Sequence, residues 1–225
     1  MSRDLSIVSI PLKGSLVVLA DDYFRLAHHD VDGRPRLHHR AVEIGLAAAL
    51  LGELLSTRHI EVHDGHLVVV NRTPPLDALS HTVLDSLLAE QHRQTVRTWL
   101  LFLSQAARTQ VARRLIRHGH LRAETSRRLF GPPTTTYLPT DMNQAAWPWL
   151  SLSMRLRDGQ QLSYEMTCLA GLAVATGLDR WLLAGASSAS VAYLREVVTH
   201  TWKPMRELLV HTEATIGDAV LAHRT

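Results

Sequence analysis

A single cysteine, Cys168, stands among 225 residues, so no disulfide can form within the chain. It lies in the apolar stretch 166–178, where a small buried hydrophobe in a reducing compartment is the expected state. One cysteine also excludes a Cys-rich zinc site, and His-Glu-x-x-His does not occur. No Gly-x-Gly is present, which removes the dinucleotide fingerprint. Lysine is nearly missing: Lys13 and Lys203 are the only lysines among 24 basic residues, and Gly14 and Pro204 follow them, so no Walker lysine precedes Ser or Thr. Ser187, in Gly185-Ala186-Ser187-Ser188-Ala189, lacks the second glycine of a nucleophile elbow. Uncharged stretches such as 166–178 are shorter than the ~20 apolar residues of a spanning helix. The apolar stretch 5–10, between Asp4 and Pro11, is too short for a signal-peptide core. Together these absences predict no metal, no cofactor and no catalytic nucleophile.

What is there is helical. Leu16, Leu19, Tyr23 and Leu26 recur near one face of a helix over 16–28, and Asp30-Val31-Asp32-Gly33-Arg34-Pro35 reads as a turn. Asp30 and Asp32 resemble the start of a calcium loop, but Arg34 and Pro35 follow where oxygen ligands are needed. A second helix, 38–56, carries the small-residue stretch 45–52 of a central, closely packed element. Two β-rich runs, 59–62 and 67–70, flank Asp64-Gly65 and predict a tight hairpin. Pro74 and Pro75 open a helix over 76–90, and Thr95 begins another carrying Trp99, Leu100 and Leu103. A basic helix spans 106–118, with Val111, Ala112 and Leu115 on its buried side and Gly119 beyond its end. A second hairpin covers 120–138 with Gly131-Pro132-Pro133 near its tip. Helices follow over 141–156, 162–176, 179–183, 188–199 and 204–222. The prediction is a mostly α, single globular helical domain over 1–225 with two small β-hairpins and a weak break near 157–161. The histidine pairs His28-His29 and His38-His39, and the trio His59, His63 and His66, read as turn and surface residues rather than metal ligands.

The charge is skewed although the formal net is only +3. Arg108, Arg113, Arg114 and Arg117 continue into Arg122, Arg127 and Arg128, and Glu124 is the only acid between Arg93 and Asp141. These arginines lead into Leu129 and Phe130 beside Gly131. Cations beside an apolar tip are the composition of an interfacial anchor, in which charge attracts an anionic surface and apolar groups enter the headgroup layer.

Several motifs in register resemble a known family. Asp32-Gly33 precedes Gly45-Leu46-Ala47-Ala48-Ala49-Leu50-Leu51-Gly52-Glu53-Leu54-Leu55 and Arg58-His59-Ile60-Glu61-Val62. Thr73-Pro74 precedes Leu84-Asp85 and Thr95-Val96-Arg97-Thr98-Trp99-Leu100. Then come Val111-Ala112-Arg113-Arg114-Leu115-Ile116-Arg117-His118-Gly119-His120-Leu121, Phe130, and Thr134-Thr135-Thr136-Tyr137. In order and spacing, from about residue 16 to 141, the chain resembles the Golgi phosphoprotein 3-like proteins, in particular their shorter bacterial, actinobacterial-type branch. The resemblance implies a helical fold with small hairpins and no catalysis. Its eukaryotic members are peripheral membrane adaptors that bind phosphatidylinositol 4-phosphate in a basic pocket, insert an apolar hairpin tip and bind cytosolic tails of membrane enzymes. By position, the pocket's tryptophan falls at His38 and its three arginines at Ala47, Gln105 and Arg108, so only Arg108 is kept.

The expectation is therefore a non-enzymatic, cytoplasmic, peripherally membrane-associated protein that binds anionic phospholipid headgroups. Arg108, His38, Arg36, Arg40, Arg113 and Arg114 form the headgroup site, and Arg127, Arg128, Leu129 and Phe130 form the inserting hairpin. A protein client and a homo-oligomer are compatible partners. The alternatives are a winged-helix-like nucleic-acid binder with Arg113, Arg114 and Arg117 on its recognition helix, a scaffold without lipid binding, and an enzyme using a pair such as His38 with Glu43.

Overall fold

A computed structural model of the chain describes residues 18–90, 92, 94–126 and 134–221. Among them are nine helices and two separate two-stranded antiparallel sheets, a mostly α architecture as predicted. The frame is built on α2 (His39–Ser56), which is buried on every side from Ala41 to Leu55 apart from Glu43. A helix that is apolar all round finds its partners all round. Those partners are α1 (Leu19–Ala27), α4 (Val96–Arg117), α6 (Tyr164–Thr176) and α9 (Lys203–Leu221). Small side chains on α2 permit close approach. A Cβ at Gly45 would lie 2.1 Å from the Tyr23 hydroxyl oxygen, so glycine there lets the α1 tyrosine ring cross the helix.

The first hairpin forms as the sequence predicts. β1 (Ile60–His63) pairs with β2 (His66–Val69) in the register Ile60 to Val69 and His63 to His66. Asp64 and Gly65 take φ of 50° and 73°, the left-handed pair that a two-residue hairpin turn requires. The helix expected from Leu76 begins later. Pro74 and Pro75 stand outside it, and α3 (Ala78–Ala89) starts at Asp77, whose carboxylate accepts from the Ser80 amide.

The two helices expected over Thr95 and 106–118 are one continuous element. Thr95 caps α4, and no proline or glycine interrupts the 22 residues that follow. Its C-terminus leads into β3 (Leu121–Ser126), which pairs with β4 (Thr134–Pro139) so that Ala123 faces Tyr137. The proposed inserting residues Arg127, Arg128, Leu129 and Phe130 lie outside the described residues. α5 (Met142–Arg157) packs on α1, and α6 packs on α9, with α7 (Asp179–Leu182) and α8 (Ser188–Thr199) completing the molecule. Cys168 is buried and free, and burial pushes its thiol up to about 12, so it is an inert core residue.

Candidate functional site

Five described arginines are not exposed: Arg25, Arg36, Arg40, Arg108 and Arg114. Four of them pair with carboxylates, Arg25 with Asp22, Arg36 with Asp30, Arg40 with Glu43 and Arg114 with three acids. Arg108 has no carboxylate partner among the described residues.

Arg114 corrects the sequence reading. It was expected on the cationic surface, yet it is wholly buried. Its Nε donates to Asp21 Oδ1 at 2.8 Å, Nη2 to Glu53 Oε1 at 3.0 Å, and Nη1 to Glu53 Oε2 at 3.1 Å and Asp77 Oδ2 at 2.9 Å. Glu53 also accepts from the Ala20 amide and the Ser80 hydroxyl. One guanidinium thus ties α1, α2 and the N-cap of α3 to α4. Burial lowers the Arg114 pKa less than Glu53, Asp21 and Asp77 raise it, so the net direction is upward. Glu53 moves up because burial outweighs its attraction to Arg114. At Asp77 the hydrogen bonds and the Arg114 charge outweigh burial, and the carboxyl is held down. All three guanidinium nitrogens of Arg114 donate to protein carboxylates and the side chain is wholly buried, so this residue is not available as a headgroup ligand.

Arg108 sits two turns earlier on α4, in a different environment. Its guanidinium carbon lies 5.3 Å from the centroid of the buried Tyr137 ring, and its Nε is buried without a hydrogen-bond partner. Tyr137 meets Phe24 edge-on at 6.3 Å, and Phe24 stacks on His28 at 4.0 Å with planes 16° apart. His28, the C-cap of α1, is 3% exposed. Burial is the main cause that pushes its pKa down to about 3, a hydrogen bond to Phe24 opposes that shift, and the nearby charges of Arg108 and then Arg36 reinforce it. The imidazole is therefore neutral at physiological pH.

The turn predicted at 30–35 carries Arg36 to the same corner. The His29 amide donates to Arg34 O at 2.8 Å, and the Arg36 amide donates to Ala27 O at 2.8 Å, folding the segment back along the end of α1. Gly33 has φ +64°, and a Cβ there would stand 2.0 Å from Tyr137 O, so only glycine lets the turn lie against β4. Asp30 pairs with Arg36 at 3.1 Å, and Asp32 accepts from the Arg34 amide. The Arg36 Nε donates to His28 O at 3.2 Å, and its guanidinium lies 4.3 Å from the centroid of the Trp149 ring on α5. Its pKa is nonetheless lowered, because burial outweighs the attraction of Asp30. Both guanidiniums lie near enough to His28 to disfavour its charge; Arg36 is paired with Asp30, and Arg108 has no carboxylate partner among the described residues.

The remaining predicted residues are placed differently. His38 caps α2, accepts from the Arg40 amide at 3.4 Å and is exposed, with its ring 4.1 Å from that of His39. Arg40 leans toward Glu43 at 3.6 Å. Arg113 is exposed and has no ion pair among the described residues, but five residues along a helix at about 100° each turn it away from Arg108. Sequence reasoning read His28 as a turn and surface residue, whereas it is buried, and missed Tyr137 and Trp149. Tyr137 stood in the Thr134-Thr135-Thr136-Tyr137 motif, while Trp149 gave no local signal.

The comparisons accord with this frame. The family model described as Golgi phosphoprotein 3 (GPP34) matches residues 19–212. The chain belongs to the Golgi phosphoprotein 3 family. No curated protein matches it. The match begins at the first residue of α1 and ends within α9, so it contains the Arg36–Arg108 corner and the Arg114 cluster alike. None of the described helices of this family member is long and apolar enough to cross a membrane.

Proposed function

We propose that this chain is a non-enzymatic peripheral membrane protein that binds anionic phospholipid headgroups through Arg108 and Arg36. The single observation that carries the reading is the state of Arg108. It is a half-buried guanidinium that has no carboxylate partner among the described residues, and its Nε is buried without a hydrogen-bond partner; Arg36 is the other arginine whose charge reaches the buried His28. An unpaired, partly desolvated cation gains most from an anion that arrives from outside, and guanidinium suits phosphate geometrically. The family resemblance adds phosphatidylinositol 4-phosphate as the headgroup to try first. Exposed apolar residues Trp147, Leu150 and Met154 share one face of α5, the helix that carries Trp149, and tryptophan suits the bilayer interface.

Vesicle sedimentation tests the reading. The full chain is expected to bind vesicles containing phosphatidylinositol 4-phosphate or phosphatidylglycerol, and to release them as salt rises. Arg108→Ala should weaken that binding about tenfold or more, the scale of one charge-assisted contact. Equal binding to purely zwitterionic vesicles, or none to any vesicle, contradicts the proposal.

A further inference from the structure

α5 packs on the protein with one side only. Ala145, Pro148, Leu152 and Leu156 recur at helical spacing and are buried. Trp147, Leu150 and Met154 stand on the opposite side and are 67%, 49% and 60% exposed. At about 100° per residue these three fall within about 60° of arc, and the first and last are about 10 Å apart along the axis. Three large side chains so placed form one apolar surface on the outside of the molecule.

The charge around this surface has one sign. Residues 142–157 contain no acid, and their only charged side chains are Arg155 and Arg157. Both are exposed, and neither has a carboxylate partner among the described residues. Arg157, three residues after Met154, continues the same face and donates to Ala184 O at 2.9 Å, a contact that leaves its charge unneutralised. Trp149, on the same helix, lies 4.3 Å from the Arg36 guanidinium. Cations beside an apolar face that carries tryptophan complement an anionic bilayer: arginine meets phosphate, and the apolar groups enter the headgroup boundary. We propose that α5 is a membrane-seating helix, lying along an anionic bilayer with Trp147, Leu150 and Met154 in the headgroup layer and Arg155 and Arg157 at the phosphates. This rests on the membrane reading above and goes further, because it gives binding an apolar component separate from Arg108.

The chain's one native cysteine is buried and inert, so Leu150→Cys supplies the reactive thiol for a polarity-sensitive fluorophore. On vesicles of phosphatidylglycerol in phosphatidylcholine, its emission is expected to shift to the blue and to be quenched by nitroxide-labelled lipid. The same label on Phe102→Cys, an exposed site on α4 beside Trp99, is expected to do neither. Met154→Cys, labelled in the same way, repeats the readout where a label at 150 disturbs docking. In sedimentation, Trp147→Ser should weaken binding about tenfold, the scale of one large apolar side chain returned to water, and Phe102→Ser should stay within about twofold. Vesicle binding without a response at positions 150 and 154, or with an equal response at 102, overturns the seating of α5 and leaves the headgroup reading standing. A blue shift that grows with protein concentration in the absence of vesicles assigns the face to a second copy of the chain and overturns the proposal. Sedimentation with no vesicle removes the headgroup reading and this one together, a distinguishable outcome.

Discussion

At the scale of single residues, two arginines six positions apart on α4 have opposite fates. Arg114 meets carboxylates from Asp21, Glu53 and Asp77, which lie 93, 61 and 37 positions away. Arg108 lies over an aromatic ring, and its charge helps to keep the buried His28 neutral. The run Arg108, Arg113, Arg114, Arg117 shows none of this, because helix phase and distant partners decide which guanidinium goes inside. Arg108 was singled out by the family positions, and Arg36 as an arginine that could stand in for those the family pocket loses here, whereas the role of His28 was legible only once the turn had been placed. Arg114→Met leaves two buried carboxylates and the half-buried Asp77 without their cation, and we expect a loss of about 3–5 kcal/mol in urea unfolding. Arg108→Ala, which breaks no ion pair, should unfold near the parent midpoint.

His28 also gives a pH signature. Its folded-state pKa is pushed from 6.5 down to about 3, so on acidification the unfolded chain takes up the proton first. The His28 contribution is fully present above about pH 6.5 and declines as pH falls toward 3, with a limiting slope of about 1.4 kcal/mol per pH unit. Denaturant titrations at pH 7 and pH 5 should show a smaller loss on acidification for His28→Phe than for the unaltered chain. Identical losses would show that the buried imidazole titrates normally.

At the scale of elements, the sequence was most readable where one local rule governed. Asp64-Gly65 between β-branched runs forms the predicted hairpin, and the small-residue stretch 45–52 forms the centre of the buried helix α2. The errors came where a longer-range choice decided. α4 runs unbroken because nothing in it stops a helix, and Asp77 rather than Pro74 starts α3 because its carboxylate both caps the helix and meets Arg114. Gly45 tests the packing of this layer. Gly45→Ala improves local helix propensity, yet its methyl group would meet the Tyr23 ring, and we expect a net loss of about 1–3 kcal/mol in thermal or urea unfolding. A stabilised variant would mean that α1 moves freely on α2.

At the scale of the whole molecule, the formal charge of +3 is too small to direct the chain to an anionic surface by itself. The account places recognition in one corner, where the end of α1, the turn that follows it, α4, β4 and α5 bring Arg36, Arg108, His28, Tyr137 and Trp149 together. The most direct test compares two neutralisations of equal charge on one helix. In binding to anionic vesicles at physiological salt, Arg108→Ala is predicted to lose about tenfold or more, while Arg113→Ala, exposed and turned away, stays within about twofold. Equal losses for the two variants would contradict a localised site and leave only diffuse attraction between a basic surface and a membrane.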